Sequence, residues 1–250
     1  MTQAGEGQGA GAVGLLRRGL RSGVVRVQRR AADLAPAERA RGRRDWPAAV
    51  AAVPALAELD GQIDALAARF ADDHARYCRE VGHPVHAASL ELVGLLVGLV
   101  QKTRPRRVID LGSGFSSYVL RTLAAEAGAP IEVHSVDDSP EWLEKTRGYL
   151  RDKGVSDAGL FTWADFGAAG RAGAYDLVLH DMGFMDTRFA TLDAVVDLAR
   201  PGGLVLLDDM HKPDYRDKAL ARLGERGLRP LSLRRLTHDA LTRFAYLLPR

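Results

Sequence analysis

The sequence predicts an α/β fold: a doubly wound sheet of seven strands, mostly parallel, with helices on both faces. Three observations predict it. Short apolar segments rich in Val, Ile and Leu recur at 107–111, 131–136, 159–163, 175–180 and 203–208. Segments of helical period fall between them at about 116–127, 140–153 and 187–199. After a further helix at 213–226, two strand-like runs, LRPLSLRRL and ALTRFAYLLP, are separated only by Thr237, His238 and Asp239. Strands that read as continuous apolar runs and alternate with helices belong to a parallel sheet buried on both sides. Two strands joined so closely must instead pair antiparallel, which places an antiparallel hairpin at the end of the sheet.

The elements before the sheet are helical. Residues 1–11 are Gly-rich and lack the apolar content to form a core. From Val13, the apolar residues Leu16, Leu20, Val24, Val27 and Ala31 follow at three- and four-residue steps with arginines on the other faces. This amphipathic pattern suits an anionic membrane, a nucleic acid, a partner subunit or the chain's own domain. Pro36 and the run RARGRRDWP read as a linker. Over 48–80 a stripe of Val53, Leu56, Leu59, Ile63, Leu66 and Phe70 predicts helix, and SLELVGLLVGLV (89–100) predicts a helix apolar all round and therefore buried. The expected division is a basic, partly disordered arm at 1–45, a helical cover at 46–104 and a ligand-binding domain at 105–250.

Composition narrows the class. Hydrophobic residues make up 46% and charged residues 27%, ordinary for a globular protein. A single cysteine, Cys78, excludes an internal disulfide and a cysteine-cluster metal site. No apolar run approaches the roughly 20 residues that span a bilayer, and the opening lacks a secretory pattern, so a cytoplasmic location is expected. The net charge of +3 is unevenly spread: residues 1–45 hold ten arginines against four acids, a net of +6, which leaves −3 on the rest. A body of that sign argues against a nucleic-acid partner.

The stretch RVIDLGSGFSSYVL (107–120) is a strand that breaks into a glycine turn and starts a helix. A dinucleotide site wants a third glycine where Ser117 stands, which argues against a nicotinamide oxidoreductase. Asp110 precedes the turn, where a carboxylate repels phosphate and attracts an ammonium group. The second strand ends in Asp137, twenty-five residues after Gly112, and an acid there can accept both ribose hydroxyls. Asp165 follows the third strand, within reach of an adenine amino group. Three acids on one rim without a compensating cation suit a cationic, phosphate-free nucleoside.

These segments resemble the class I S-adenosylmethionine-dependent methyltransferases, a Rossmann-like family, over residues 87–248. VIDLGSG looks like the family's first motif, VHSVDDSPEW its second, ADF its third, YDLVLHD its fourth and RPGGLVLLDD its fifth. The resemblance implies S-adenosylmethionine as cofactor, with Asp110, Gly112, Ser113, Gly114 and Ser116 around its methionine end. Asp137 and Asp138 would lie at the ribose, and Asp165 and Phe166 at the adenine. Trp142 either flanks the adenine or packs its helix onto the sheet.

Asp181, Asp208 and Asp209 end the fourth and fifth strands, and acids so placed are costly to gather unless a cation joins them. They match the metal ligands of the divalent-metal-dependent O-methyltransferases that act on catechols, caffeoyl esters and macrolide sugars. That resemblance implies Mg2+, which would bind an acceptor hydroxyl and lower its pKa. The lysine that the catechol and caffeoyl enzymes carry three residues after the first aspartate is Phe184 here. His211, with Asp181, is therefore the candidate catalytic pair, and His180 and Lys212 are local alternatives. Phe70, His74, Tyr77 and His83 are candidates to cover the acceptor. The Asn/Asp-Pro-Pro-aromatic motif of N-methyltransferases is absent at 181–184, which favours an oxygen acceptor.

The expected function is methyl transfer to a hydroxyl of a small molecule. The competing readings are a metal-independent N-, C- or carboxyl-methyltransferase and a non-catalytic cofactor-binding module docked through the basic arm. A homodimer through the N-terminal helices is a further expectation.

Overall fold

The computed structural model describes residues 36–250. The Gly-rich start and the 13–31 stripe lie outside the described residues. A helix at 36–52 (α1) leads into three short helices, α2 (Ala55–Leu59), α3 (Ile63–Ala68) and α4 (Ala71–Glu80), and then the long α5 (Leu90–Thr103). The alternating part follows: β1 (Arg107–Leu111), α6 (Phe115–Glu126), β2 (Glu132–Asp137), α7 (Pro140–Asp152), β3 (Leu160–Thr162), α8 (Trp163–Phe166), β4 (Tyr175–His180), α9 (Met185–Leu198), β5 (Ala199–Leu207) and α10 (Pro213–Glu225). The chain ends with β6 (Leu231–Ser232), α11 (Arg234–Thr237) and β7 (Tyr246–Pro249).

The seven strands stand in the order β3-β2-β1-β4-β5-β7-β6. β1 pairs in parallel with β2 and β4, β2 with β3 and β4 with β5, while β7 runs antiparallel to both its neighbours. The strands alternate their side chains between two cores, as a pleated strand must. Val108, Leu177, Leu179, Leu204 and Leu206 face α5 and α6, whereas Ile109, Leu111, Val178, Val205 and Leu207 face α9 and α10. From Leu92 to Val100 helix α5 is buried all round, as its sequence requires. A Cβ on its Gly94 would lie 2.3 Å from the Ile63 carbonyl oxygen, so glycine there lets α3 pack against its backbone.

Two expectations change. The linker expected at Pro36 and 39–47 is helix α1, because its two acids are buried anchors. Tyr246 Oη donates to Glu38 Oε2 at 2.6 Å, and Arg216 Nη1 lies 3.3 Å from Glu38 Oε1. Asp45 accepts the Ser232 N–H at 3.3 Å and pairs with Arg229 at 3.3 Å. The arginine run disguised a helix held by its acids. The final hairpin is also looser than a three-residue turn: β6 has two residues, α11 intervenes, and β7 returns to insert between β5 and β6. The antiparallel pairing of the two tail strands is as expected. Among the described residues no helix is long and apolar enough to cross a membrane.

Candidate active site

The carboxyl ends of β1, β2, β4 and β5 meet at one rim, the edge where open α/β sheets bind ligands. The glycine turn after β1 sits at its centre. Gly112 has φ 104°, and a Cβ there would stand 2.5 Å from the Asp181 carbonyl oxygen. The chain leaving β4 thus crosses directly over Gly112, fastened by the Asp181 N–H donating to the Leu111 carbonyl at 2.7 Å. A Cβ on Gly114 would come within 3.0 Å of Tyr77 Oη, so α4 covers this part of the turn.

Most of the acids and serines expected at the cofactor bind one another. Asp110 has no exposed surface, and both of its oxygens accept from Ser116 Oγ, at 3.0 and 3.1 Å; Ser117 Oγ donates as well. Burial pushes its pKa up to about 6, against the hydroxyls and Arg121. Asp110 and Ser116 therefore hold the turn's shape from beneath instead of reaching out to an ammonium group. Asp137 Oδ2 accepts the Ser113 N–H at 2.8 Å and Ser113 Oγ at 3.0 Å, while Oδ1 accepts the Ser139 N–H at 3.0 Å. Burial raises its pKa, and these neutral donors oppose the rise. Ser113 is fixed from its other side by Trp142, whose indole N–H donates to the Ser113 carbonyl at 2.6 Å. Asp138 lies on the rim beside Gly183. The chemistry of this donor set fits a phosphate-free nucleoside: neutral groups fix the Asp137 carboxylate, and among the described residues none of its hydrogen bonds comes from a lysine or arginine.

The adenine side differs from expectation. Asp165 is exposed, but its carboxylate accepts from Thr162 Oγ1 at 2.5 Å, within the cap of α8. Phe166 is 1% exposed and packs against Phe161, Trp163 and Tyr175, so it is core and presents no face to a ligand. Among the candidate covering residues, Phe70 and Tyr77 are core, His74 Nε2 is bonded to the Ala88 carbonyl at 2.9 Å, and His83 lies outside this buried group.

The acidic trio at β4 and β5 contains a residue that sequence alone did not bring forward. Arg188, on the first turn of α9 and 3% exposed, lies between Asp181 and Asp209. Its Nη2 donates to Asp181 Oδ1 at 2.7 Å, the Asp181 carbonyl at 2.6 Å and the Gly183 carbonyl at 3.2 Å. Nη1 donates to Asp209 Oδ2 at 2.8 Å, and Nε to the Met182 carbonyl at 3.4 Å. Asp209, in a left-handed conformation at φ 60°, also accepts from Lys212 Nζ at 2.5 Å. Burial works to raise the Asp209 pKa, but Arg188, Lys212 and His211 outweigh it and hold the group at about 2. Asp181 moves the other way: burial raises it, and Asp208 and Asp209 add to the rise against Arg188. Asp208 is lifted to about 6 by burial and by Asp209. The difference follows from the second cation, Lys212, which bonds Asp209.

This arrangement does not fit the Mg2+ expected at Asp181, Asp208 and Asp209. Among the described residues no three His, Cys, Asp or Glu side chains converge as a metal site, and two of the three acids grip the guanidinium. The gathered acids do have their cation, but it is Arg188. One signal was available: Arg188 shares a helical stripe with Leu192, Val195 and Val196, and an arginine on a buried stripe needs a buried acid. Of the histidines, His180 is fully buried with Nε2 on the Arg188 carbonyl at 2.9 Å and a pKa pushed down by burial to about 3. His211 is lowered to about 4 by burial, and its Nδ1 lies 3.4 Å from Asp209 Oδ1, close enough to feel the charge but without hydrogen-bond geometry.

Comparison with known proteins agrees with the fold. Residues 109–210 match the family model of a methyltransferase domain. The O-methyltransferase TomG of Streptomyces achromogenes, involved in tomaymycin synthesis and solved with S-adenosylmethionine, is similar at 19% identity and TM-score 0.52, over 71% of this chain and 86% of that one. An O-methyltransferase from Bacillus cereus solved with S-adenosylhomocysteine is similar at 15% identity and TM-score 0.52, over 74% and 91%. A methyltransferase of Podospora anserina, also bound to S-adenosylhomocysteine, is similar at 15% and TM-score 0.52, over 71% and 86%. No curated protein matches the chain in sequence. The chain thus has the fold of these solved methyltransferases, and residues 109–210 are similar to a methyltransferase domain.

Proposed function

We propose that the protein transfers a methyl group from S-adenosylmethionine to a hydroxyl of a small molecule. The observation that carries this reading is Asp137, held at the end of β2 by the Ser113 and Ser139 amides beside the glycine turn. Oxygen as the acceptor draws on two similar structures that are themselves O-methyltransferases and on Asp181-Met-Gly-Phe184 standing where an N-methyltransferase motif would be.

In this reading Asp137 and Asp138 hold the ribose, the backbone from Gly112 to Ser116 borders the methionine end, and Trp142 fixes the turn through Ser113. S-adenosylmethionine, when bound, supplies an electrophilic methyl group. The protein's own part is to orient the acceptor and receive its proton. His211, neutral at pH 7 and beside Asp209, is the group that receives the proton in this reading, and its burial makes it a weaker base than a free imidazole. Asp181, fixed by Arg188, borders the same rim between the glycine turn and β5.

Calorimetry with S-adenosylhomocysteine tests the cofactor site. Asp137→Ala is expected to weaken binding by at least about tenfold, the worth of one charge-assisted hydrogen bond. Unchanged affinity would remove Asp137 from the site. Transfer of labelled methyl to a panel of phenols, catechols and sugars tests the acceptor class. His211→Gln is expected to lower kcat by about a hundredfold or more while leaving cofactor affinity intact.

A further inference from the structure

We propose that Arg188 is the resident cation of the acidic rim, a positioning residue whose guanidinium takes the place of a divalent metal between Asp181 and Asp209. This deepens the methyltransferase reading, but its central test does not depend on that reading.

A divalent ion such as Mg2+ requires its oxygens to close to about 2.0–2.1 Å around one point and keeps several positions open for water or substrate. Here carboxylate oxygens of Asp181 and Asp209 are bonded to different nitrogens of one planar guanidinium, at 2.7 and 2.8 Å. A guanidinium cannot lose its charge at any working pH, so the pairing persists where a lysine or histidine could let go. All three of its nitrogens are engaged by protein oxygens, which include the carbonyls of residues 181, 182 and 183. Arg188 thus also ties the loop after β4 into its crossing over Gly112, where the Asp181 carbonyl stands 2.5 Å from the place of a Cβ.

The side chain cannot swing aside at low cost. It sits on the stripe by which α9 packs on the sheet, with Leu192, Val195 and Val196, and is 3% exposed. Lys212 supplies a second fixed cation to Asp209 from the open side. Buried to 3% exposure and bonded at Nε, Nη1 and Nη2 to protein oxygens, Arg188 acts through the placement of Asp181, Asp209 and the loop. Acceptor activation therefore falls to His211 and the neighbouring acids, without a Lewis acid.

The test is Mn2+ binding, followed by calorimetry and by the spin-resonance signal of the free ion, on the full chain and on Arg188→Ala, Arg188→Met and Arg188→Lys. The wild type is expected to bind no Mn2+ at millimolar concentration, and S-adenosylhomocysteine is expected to bind equally with Mg2+ or with a chelator. Removing the guanidinium leaves the carboxylates facing one another. Arg188→Ala or Arg188→Met is then expected to gain Mn2+ affinity by at least about tenfold, with a thermal midpoint that rises when Mn2+ is added, as ligand linkage requires. Arg188→Lys, which keeps the charge, is expected to gain none. Tight Mn2+ binding by the wild type that Asp181→Asn abolishes overturns the proposal, and so does an Arg188→Met variant that folds and gains nothing. If neither uncharged variant folds, the wild-type titration still decides. Failure to bind S-adenosylhomocysteine would instead remove the methyltransferase reading and leave the Mn2+ result standing.

Discussion

The two halves of the rim handle buried carboxylates in opposite ways. At the ends of β1 and β2, Asp110 and Asp137 are met by serine hydroxyls and backbone amides, all neutral. At the ends of β4 and β5, Asp181 and Asp209 are met by Arg188 and Lys212, both charged. Neutral donors fix an acid's position and leave its charge for something else to answer, whereas cations cancel it on the spot. In the first half the hydrogen bonds to Asp137 come from neutral groups, whereas in the second Asp209 is held between two cations.

The largest expected effect comes from breaking the charged half. Arg188→Ala should cost about 3–5 kcal/mol of stability, since it strands two acids that were paired in the interior; urea denaturation measures it. A loss below about 1 kcal/mol would mean that water already screens the site.

Asp110→Asn sharpens the neutral half through pH. The Asp110 pKa, raised from the ordinary 3.8 to about 6, means that the folded protein binds its proton more tightly than the unfolded chain. The group's contribution to stability is therefore full below pH 3.8 and is lost as pH rises through 6. The asparagine variant does not titrate, so its stability relative to wild type should climb by about 2–3 kcal/mol between about pH 4 and pH 7, as paired denaturation curves would reveal. A flat difference would show that the serines and Arg121 keep the acid ionised throughout.

The smallest effect belongs to Lys212. Its side chain is 40% exposed, so Lys212→Met should change stability by no more than about 0.5 kcal/mol. It should nonetheless raise the Asp209 pKa, measurable by carbon NMR of the carboxylate. If Asp209 stays near 2, Arg188 alone sets its charge.

The sheet was legible because the central strands β1, β4 and the second half of β5 are short apolar runs ending at Gly or Asp, with both faces buried. Helices α6, α7, α9 and α10 lie within two residues of the positions their periodicity gave. Helix α1 was illegible because Glu38 and Asp45 look like surface acids until Tyr246 and Ser232, some two hundred positions later, are placed against them. The site was half legible. Which acids share the rim follows from strand ends alone. Which way each carboxylate turns does not, because Ser116, Ser117 and Arg188 decide it from helices whose rotation depends on packing. Phe166 shows the same limit, since a motif position says nothing about which face of a short helix is covered.

The placement of β7 has a consequence for how the molecule is made. The outer edge of the sheet is threaded in reverse, because the last strand in chain order fills the gap between two earlier ones. Until residues 246–249 have left the ribosome, β6 has no neighbour and Glu38 has no tyrosine to receive its bond. The early helix and the late strand therefore wait for each other. The central strands can pair before residues 246–249 are made, whereas this flank of the sheet cannot close until they are.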